Sequence, residues 1–291
     1  MPPILQEIII KSTSYLSAAG IRSPRLEAEL MIGKVLCLDR IQLYVQFNRP
    51  LEESELAMIR SVLTARAKEK VPIAYLIGSK DFYGHNFIIP SKVFIPRPET
   101  EELVDIIIRK IQNSEFFTYE KLSVLDLCAG SGVIGLSVAK KFEGAEITAV
   151  DISADACAVI RENSRRLCLR QDRVMVHQGD LWQAISEQMF FDIIIANPPY
   201  IATNELNELP DDIIKHEPRE ALDGGHDGLN YYRRIMQDAN KHLYHGGIVA
   251  FEHGYSQRES ICDLTRSLGF AKIEVFNDLH GMPRFIMSSR T

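Results

Sequence analysis

The sequence predicts an α/β chain in which a small helical bundle precedes a doubly wound, mainly parallel sheet. Three observations carry that prediction. Residues 4 to about 80 show helical spacing only. From Leu122 onward, apolar strand-like runs alternate with amphipathic helix-like runs, and alternation at this spacing implies right-handed βαβ crossovers. The residues least expected at the ends of ordinary strands, acids, glycines and an Asn-Pro-Pro-Tyr tetrad, fall at the ends of those runs, where open α/β sheets bind ligands.

The elements follow in order. ILQEIIIKSTSYLSAAG repeats apolar residues at helical intervals and stops at Gly20. SPRLEAELMIGKVL opens with a Ser23 cap and Pro24 in the first turn, the usual chemistry of a helix start. ESELAMIRSVLTARAKEK is again amphipathic. DFYGHNFIIPSKVFIPR alternates aromatic and β-branched residues around turn signals, as a hairpin would. ETEELVDIIIRKIQ leads with acids and trails with bases, which suits the helix dipole. SVLDLCA, AEITAVDIS, RVMVHQGD, FDIIIANPP and GGIVAFEHG then read as strands, and SGVIGLSVAKKF, DACAVIRENSRRL, LNYYRRIMQDANKHL and QRESICDLTRSLG as helices. AKIEVFND and RFIMSSR would close the sheet as an antiparallel pair. There is no internal repeat and no low-complexity segment. The boundaries expected are 1–79 for the bundle, 80–95 for a β-hairpin linker, and 96–291 for the sheet domain.

Composition narrows the function classes. At 291 residues, 46% hydrophobic and 25% charged, the chain is of ordinary globular character. A net charge of −6 argues against a protein that coats nucleic acid. Five scattered cysteines, odd in number and never in a C-x-x-C pair, fit free thiols in a reducing compartment better than disulfides or zinc. The N-terminus has no basic lead or small-residue cleavage site, and no stretch reaches the ~18 apolar residues needed to span a bilayer. A cytoplasmic location without membrane association is expected.

VLDLCAGSGVIG places Asp126 near a strand end and Cys128, Ala129, Gly130, Ser131 and Gly132 in the turn to the next helix. Glycines there let a ligand approach the backbone, and the helix start offers free N–H groups. A tight βα turn without a ligand would look the same. Asp151, at the next strand tip, lies about 20 residues further on, where an acid accepts from both hydroxyls of a ribose. That spacing also permits a dinucleotide, although G-x-G-x-x-G is not met cleanly. Asp180, followed by Leu181 and Trp182, ends a third strand and could accept from an adenine amino group with apolar residues along the ring; taken singly, it reads equally well as a helix cap.

The fourth strand end decides between them. Pro198 and Pro199 donate no hydrogen bond, and Pro199 holds Pro198 extended, which sets the carbonyl direction. The Asn197 side-chain oxygen and the Pro198 carbonyl can then accept from one NH₂ group, and Tyr200 offers a face to the planar group that bears it. An amide or exocyclic amino nitrogen is a poor nucleophile, and two acceptors on its hydrogens drain positive charge as it attacks. A sulfonium methyl is an excellent electrophile, so positioning does most of the work. The glycine turn, Asp151 and Asn197-Pro-Pro-Tyr200 together indicate an S-adenosylmethionine-dependent methyltransferase acting on a planar NH₂.

The chain also resembles the HemK/PrmC family, the glutamine methyltransferases of peptide chain release factors. The segments that carry the resemblance are PIAYLIGSKDFYG, FIPRPETEELV, DLCAGSGVIG, AVDIS, NPPYI, EPREALDGGHDGL and GGIVAFEHG, spread over most of the chain. Cys128-Ala129 departs from the family's usual Gly followed by a small hydroxyl residue. The resemblance implies a Rossmann-like methyltransferase domain behind an N-terminal helical bundle that recognises the release factor. It implies S-adenosyl-L-methionine as cofactor, with S-adenosyl-L-homocysteine as product, and the glutamine of the Gly-Gly-Gln motif of class I release factors as substrate. It assigns the glycine turn, Asp151 and the Asp180–Trp182 region to the cofactor, and Asn197 to Tyr200 to the glutamine amide. Arg97 or Thr100, in a segment that closes over the methionine end of the cofactor in related enzymes, would meet its carboxylate. A monomer without stably bound nucleic acid is expected. Two rivals share parts of the pattern: a nucleic-acid adenine or guanine amino methyltransferase, and a non-catalytic module that only binds the adenosine cofactor. EPREALDGGHDGL can be read as a metal or phosphate loop, but His216 and His226 have no recognisable ligand spacing; a wall or lid beside the site is the reading kept, and no metal is expected.

Overall fold

In the computed structural model, residues 2–115, 117 and 121–290 are described. They form two units: one runs to Ser79 and takes in Pro210–His216, and the other covers Lys80–Leu209 and Glu217 onward.

The first unit holds α1 (Leu5–Ala18), α2 (Pro24–Leu36), α3 (Arg40–Val45), α4 (Glu53–Lys68) and α5 (Ile73–Ile77). Gly20 adopts φ +77° and ends α1, with the Ile21 N–H donating back to the Leu16 carbonyl. Pro24 opens α2 as expected, but the Ser23 side chain makes no capping hydrogen bond. The short α3 owes its start to a reciprocal cap between Asp39 and Gln42, each bond 2.8 Å. Leu5, Ile9, Leu16, Met31, Ile32, Leu43, Leu56 and Ile59 form the core. Inside it Glu29 is fully buried, accepting from Arg25 (2.9 Å), Arg40 (2.7 Å) and Tyr44 (2.6 Å).

The second unit begins with the hairpin β1 (Ser79–Phe82) and β2 (His85–Ile88). It continues through α6 (Thr100–Gln112), β3 (Leu122–Leu127), α7 (Val133–Lys141), β4 (Ala145–Asp151), α8 (Ala154–Arg166), β5 (Val174–Gln178) and β6 (Phe191–Ala196). After α9 (Asp211–Ile214), which lies in the segment belonging to the first unit, come α10 (Asn230–His242), β7 (Leu243–Glu252), α11 (Arg258–Ser267), β8 (Ala271–Asn277) and β9 (Pro283–Ser289). The hairpin packs on α8 within its own unit. Phe87 is fully buried, and the Asn163 side chain of α8 pairs with both backbone groups of Ile88, at 2.7 and 3.2 Å.

The seven strands lie in the order β5-β4-β3-β6-β7-β9-β8. The first five are parallel neighbours, and β9 inserts antiparallel between β7 and β8. Strands buried on both faces must be apolar throughout, which explains Ile193–Ala196 and Ile248–Phe251. The order reverses between β3 and β6, so the crevice outside their carboxyl ends is the topological switch point. Among the described residues, no helix is long and apolar enough to cross a membrane.

Candidate active site

Register brings four residues to one level. Val150 of β4 lies beside Leu127 of β3, Leu127 beside Ala196 of β6, and Ala196 beside Phe251 of β7. The next residue on each strand is therefore Asp151, Cys128, Asn197 and Glu252, a row of polar side chains across the switch point.

The glycine turn is built around backbone shape. Cys128, Gly130 and Gly132 all have positive φ, at 57°, 57° and 77°, a region that disfavours any residue with a Cβ. Cys128 is thus a side chain held where glycine fits best, and burial pushes its thiol well above the usual range. Ala129 donates to the Val150 carbonyl at 3.1 Å, and Gly132 to the Ala129 carbonyl at 2.7 Å as it caps α7. A Cβ on Gly130 would project into open space. Ser131 is buried, and its hydroxyl has no protein partner among the described residues.

The acids are tied to this turn. Asp151 accepts from the Gly130 N–H (2.8 Å) and the Ser153 N–H (2.9 Å), which aims it across the turn; burial raises its pKa, against the pull of those donors. Asp126 is buried beneath. Its Oδ2 accepts from the Gly135 N–H at 2.8 Å, while Oδ1 has no partner among the described residues. Burial pushes its carboxyl up to about 7. A Cβ on Gly135 would lie 2.9 Å from that carboxylate, so only glycine lets α7 come this close.

Other expected cofactor residues are placed differently. Asp180 pairs with Arg234 of α10 at 2.7 Å. Leu181 is buried at φ +53°. Trp182 turns inward: its indole donates to the Arg234 and Ile235 carbonyls and its ring stacks on His242 at 4.7 Å. Its partners and packing are those of the core beside α10. Arg97 pairs with the buried Glu217 at 2.6 Å, and the same carboxylate accepts from the Ile95 N–H at 3.2 Å. Thr100 is buried and donates to Glu252 Oε2 at 2.7 Å. Its one hydroxyl proton is therefore engaged inside the protein.

Pro198 and Pro199 are buried and stop β6. The Asn197 carboxamide donates through Nδ2 to Thr100 Oγ1 at 3.4 Å. Tyr200 is held from behind: Gln257 donates to its carbonyl at 2.8 Å, and burial pushes its phenol up to about 12. The glycine-rich segment after Glu217 forms the wall beside it. Gly224 donates to the Ile201 carbonyl at 2.8 Å, and Ile201 to the Leu222 carbonyl at 3.1 Å. A Cβ on Gly228, at φ +72°, would lie 2.3 Å from the Tyr200 carbonyl oxygen. Those glycines allow two backbones to touch. Among the described residues, no group of three or more His, Cys, Asp or Glu could hold a metal ion.

Sequence reading gave no role to Glu252, Glu217, Arg234 or Gln257. Glu252 had a usable signal: an ionisable residue ending the apolar run IVAF, at the same strand-tip position as Asp151 and Asn197. The others are set by contacts distant in sequence.

This fold and its row of strand-tip groups define a Rossmann-like methyltransferase. The Methyltransferase small domain model matches residues 104–226. The T. thermophilus 16S rRNA N2 G1207 methyltransferase, solved with AdoMet and guanosine, superposes with a TM-score of 0.51 at 18% identity, covering 73% of this chain and 50% of that one. The PrmC N-terminal domain model matches residues 7–78. Release factor glutamine methyltransferase of Clostridium botulinum is 36% identical over 99% of both chains, and that of Geobacter sulfurreducens is 34% identical over 97% of this chain and 95% of its own. The chain belongs to the release factor glutamine methyltransferase family.

Proposed function

We propose that the chain methylates the side-chain amide nitrogen of the glutamine in the Gly-Gly-Gln motif of class I release factors, using S-adenosylmethionine. The observation that carries this reading is the common level of Asp151, the glycine turn, Asn197 and Glu252 across the switch point.

The residues present fit the cofactor. The open side of Gly130 leaves room for a ligand against the backbone, and Ser131 Oγ and Asp126 Oδ1 are buried polar atoms lacking protein partners among the described residues. Gly130 to Gly132 would face the methionine part, with Asp126 beneath them and Cys128 and Ala129 shaping the turn. Asp151 would hold the ribose hydroxyls, and Asp180 and Leu181 would lie at the adenine. Arg97 would steer the methionine carboxylate by charge while keeping Glu217. When bound, the cofactor supplies an electrophilic methyl group on a sulfonium sulfur. The substrate amide would give its two hydrogens to Asn197 Oδ1 and the Pro198 carbonyl, with Tyr200 against its plane. These acceptors aim the nitrogen lone pair and stabilise the charge that develops there, which amounts to electrostatic preorganisation.

The helical unit would recognise the release factor. Its α3 exposes Ile41, Tyr44 and Val45, and a cluster of exposed apolar side chains suits a protein partner. A monomer in the cytoplasm without stably bound nucleic acid completes the reading.

The test mixes purified protein and labelled S-adenosylmethionine with a release factor, the same factor with the motif glutamine replaced, and DNA or RNA. Label in the intact release factor alone is expected. Label in nucleic acid alone would overturn the reading.

A further inference from the structure

We propose that Glu252 and Thr100 are a positioning pair that fixes which way the Asn197 carboxamide is turned. This deepens the proposed function and rests on its assignment of Asn197 to the substrate amide.

Hydrogen-bond direction is what ties the three side chains together. A threonine hydroxyl has one proton to donate and lone pairs with which to accept. Thr100 gives that proton to Glu252 Oε2 at 2.7 Å, inside a buried site. Its oxygen can then only accept from the neighbouring Asn197. The NH₂ end of the carboxamide must therefore face Thr100, as it does at 3.4 Å. Oδ1 is left pointing away from this pair, available to accept from a substrate NH₂. A carboxamide turned over would offer a donor to a donor, and the amide would be repelled.

Glu252 is itself held from several sides. Tyr232 of α10 donates to its backbone carbonyl at 2.8 Å. The charged and titratable groups that face its carboxyl are Arg284 of β9, Glu99 before α6, and the phenols of Tyr200 and Tyr232. Burial, opposed by Thr100 and Arg284, pushes the carboxyl up to about 7. Once protonated, Glu252 becomes a donor to Thr100, whose own proton is then free for Asn197 Oδ1. The direction lock is lost as pH falls.

Four proteins test this: wild type, Thr100→Val, Thr100→Ser and Glu252→Gln. Turnover on release factor is expected to fall ~10–100-fold in Thr100→Val, the range seen when a reacting group is slightly misplaced, and to return to within about threefold of wild type in Thr100→Ser. S-adenosylmethionine affinity by calorimetry should stay unchanged in all four. The acid limb of kcat near pH 7 should disappear in Glu252→Gln. A second readout needs no substrate: the ¹⁵N-correlated signals of the Asn197 carboxamide should shift with a midpoint near pH 7 in wild type and stay still in Glu252→Gln. Thr100→Val turning over within twofold of wild type, or carboxamide signals that titrate equally in Glu252→Gln, would overturn the pair. A wild-type protein inert on release factor would instead overturn the proposed function, and the carboxamide titration would still decide this inference.

Discussion

Two buried carboxylate environments, one in each unit, show how differently this chain treats the same chemistry. Glu29 sits in the helical core with three donors on its two oxygens. Burial pushes its pKa up, but Tyr44, Arg40 and Arg25 outweigh it, and the group ends below its ordinary value. Asp126 sits in the sheet unit with one backbone donor and one bare oxygen, and ends at about 7. Both side chains are buried, so the donors decide the sign: two guanidinium cations and a phenol act on Glu29, and one neutral backbone N–H on Asp126. A fully satisfied acid holds a fold together. An under-satisfied one stores unspent hydrogen-bonding capacity, and here it lies at the strand tips where a ligand would use it.

The largest effect expected from this contrast is on chemistry. Asn197→Ala removes an acceptor from the sheet unit's tip and should lower kcat by ~100-fold or more, as losing one preorganised polar group at a reacting centre does. Calorimetry should show cofactor affinity within about threefold of wild type, and thermal melts should show little change. Near-normal turnover would remove Asn197 from the site.

The next effect is on stability and has a definite pH sign. Asp126 holds its proton more tightly folded than unfolded, so its contribution to stability is present below about pH 4 and is lost as pH rises through 7. Asp126→Asn should therefore stabilise the ligand-free protein by ~2 kcal/mol at pH 8 relative to pH 5, measured by urea unfolding. A pH-independent difference would contradict the burial argument.

The smallest effect lies in the helical unit and has the opposite sign. The lowered pKa of Glu29 contributes stability above the ordinary carboxylate range, lost as pH falls through the folded value. Glu29→Gln should cost ~1–2 kcal/mol at pH 7, fading on acidification, with cofactor affinity unaltered. A change in cofactor affinity would blur the division between the two regions.

How much of the site was readable follows from how local each signal is. The glycine turn, Asp151 and Asn197-Pro-Pro-Tyr200 lie on short segments, where backbone conformation and residue chemistry are set within a few positions. The partners of Trp182 were not readable, for the opposite reason. An aromatic ring after a strand tip suits a ligand or a core equally, and α10, some fifty residues later, captured it. The Thr100 partner was hidden likewise, because Glu252 is 152 residues away. The glycines of EPREALDGGHDGL were legible as a wall near the site. That they permit contact with the Tyr200 and Ile201 backbone was not, since the pairing is between segments.

By itself, the amino-acid order determined that this chain alternates strands and helices behind a helical bundle, and that its strand ends carry ligand-type groups. Periodicity, turn residues and proline act over a few residues, so they need no fold to be read. Only the tertiary structure decided which of those groups share a level, which are already occupied by protein donors, and which keep a free oxygen. Hydrogen-bond partners and burial are properties of packed neighbours, and the sheet order β4-β3-β6-β7 chose the neighbours.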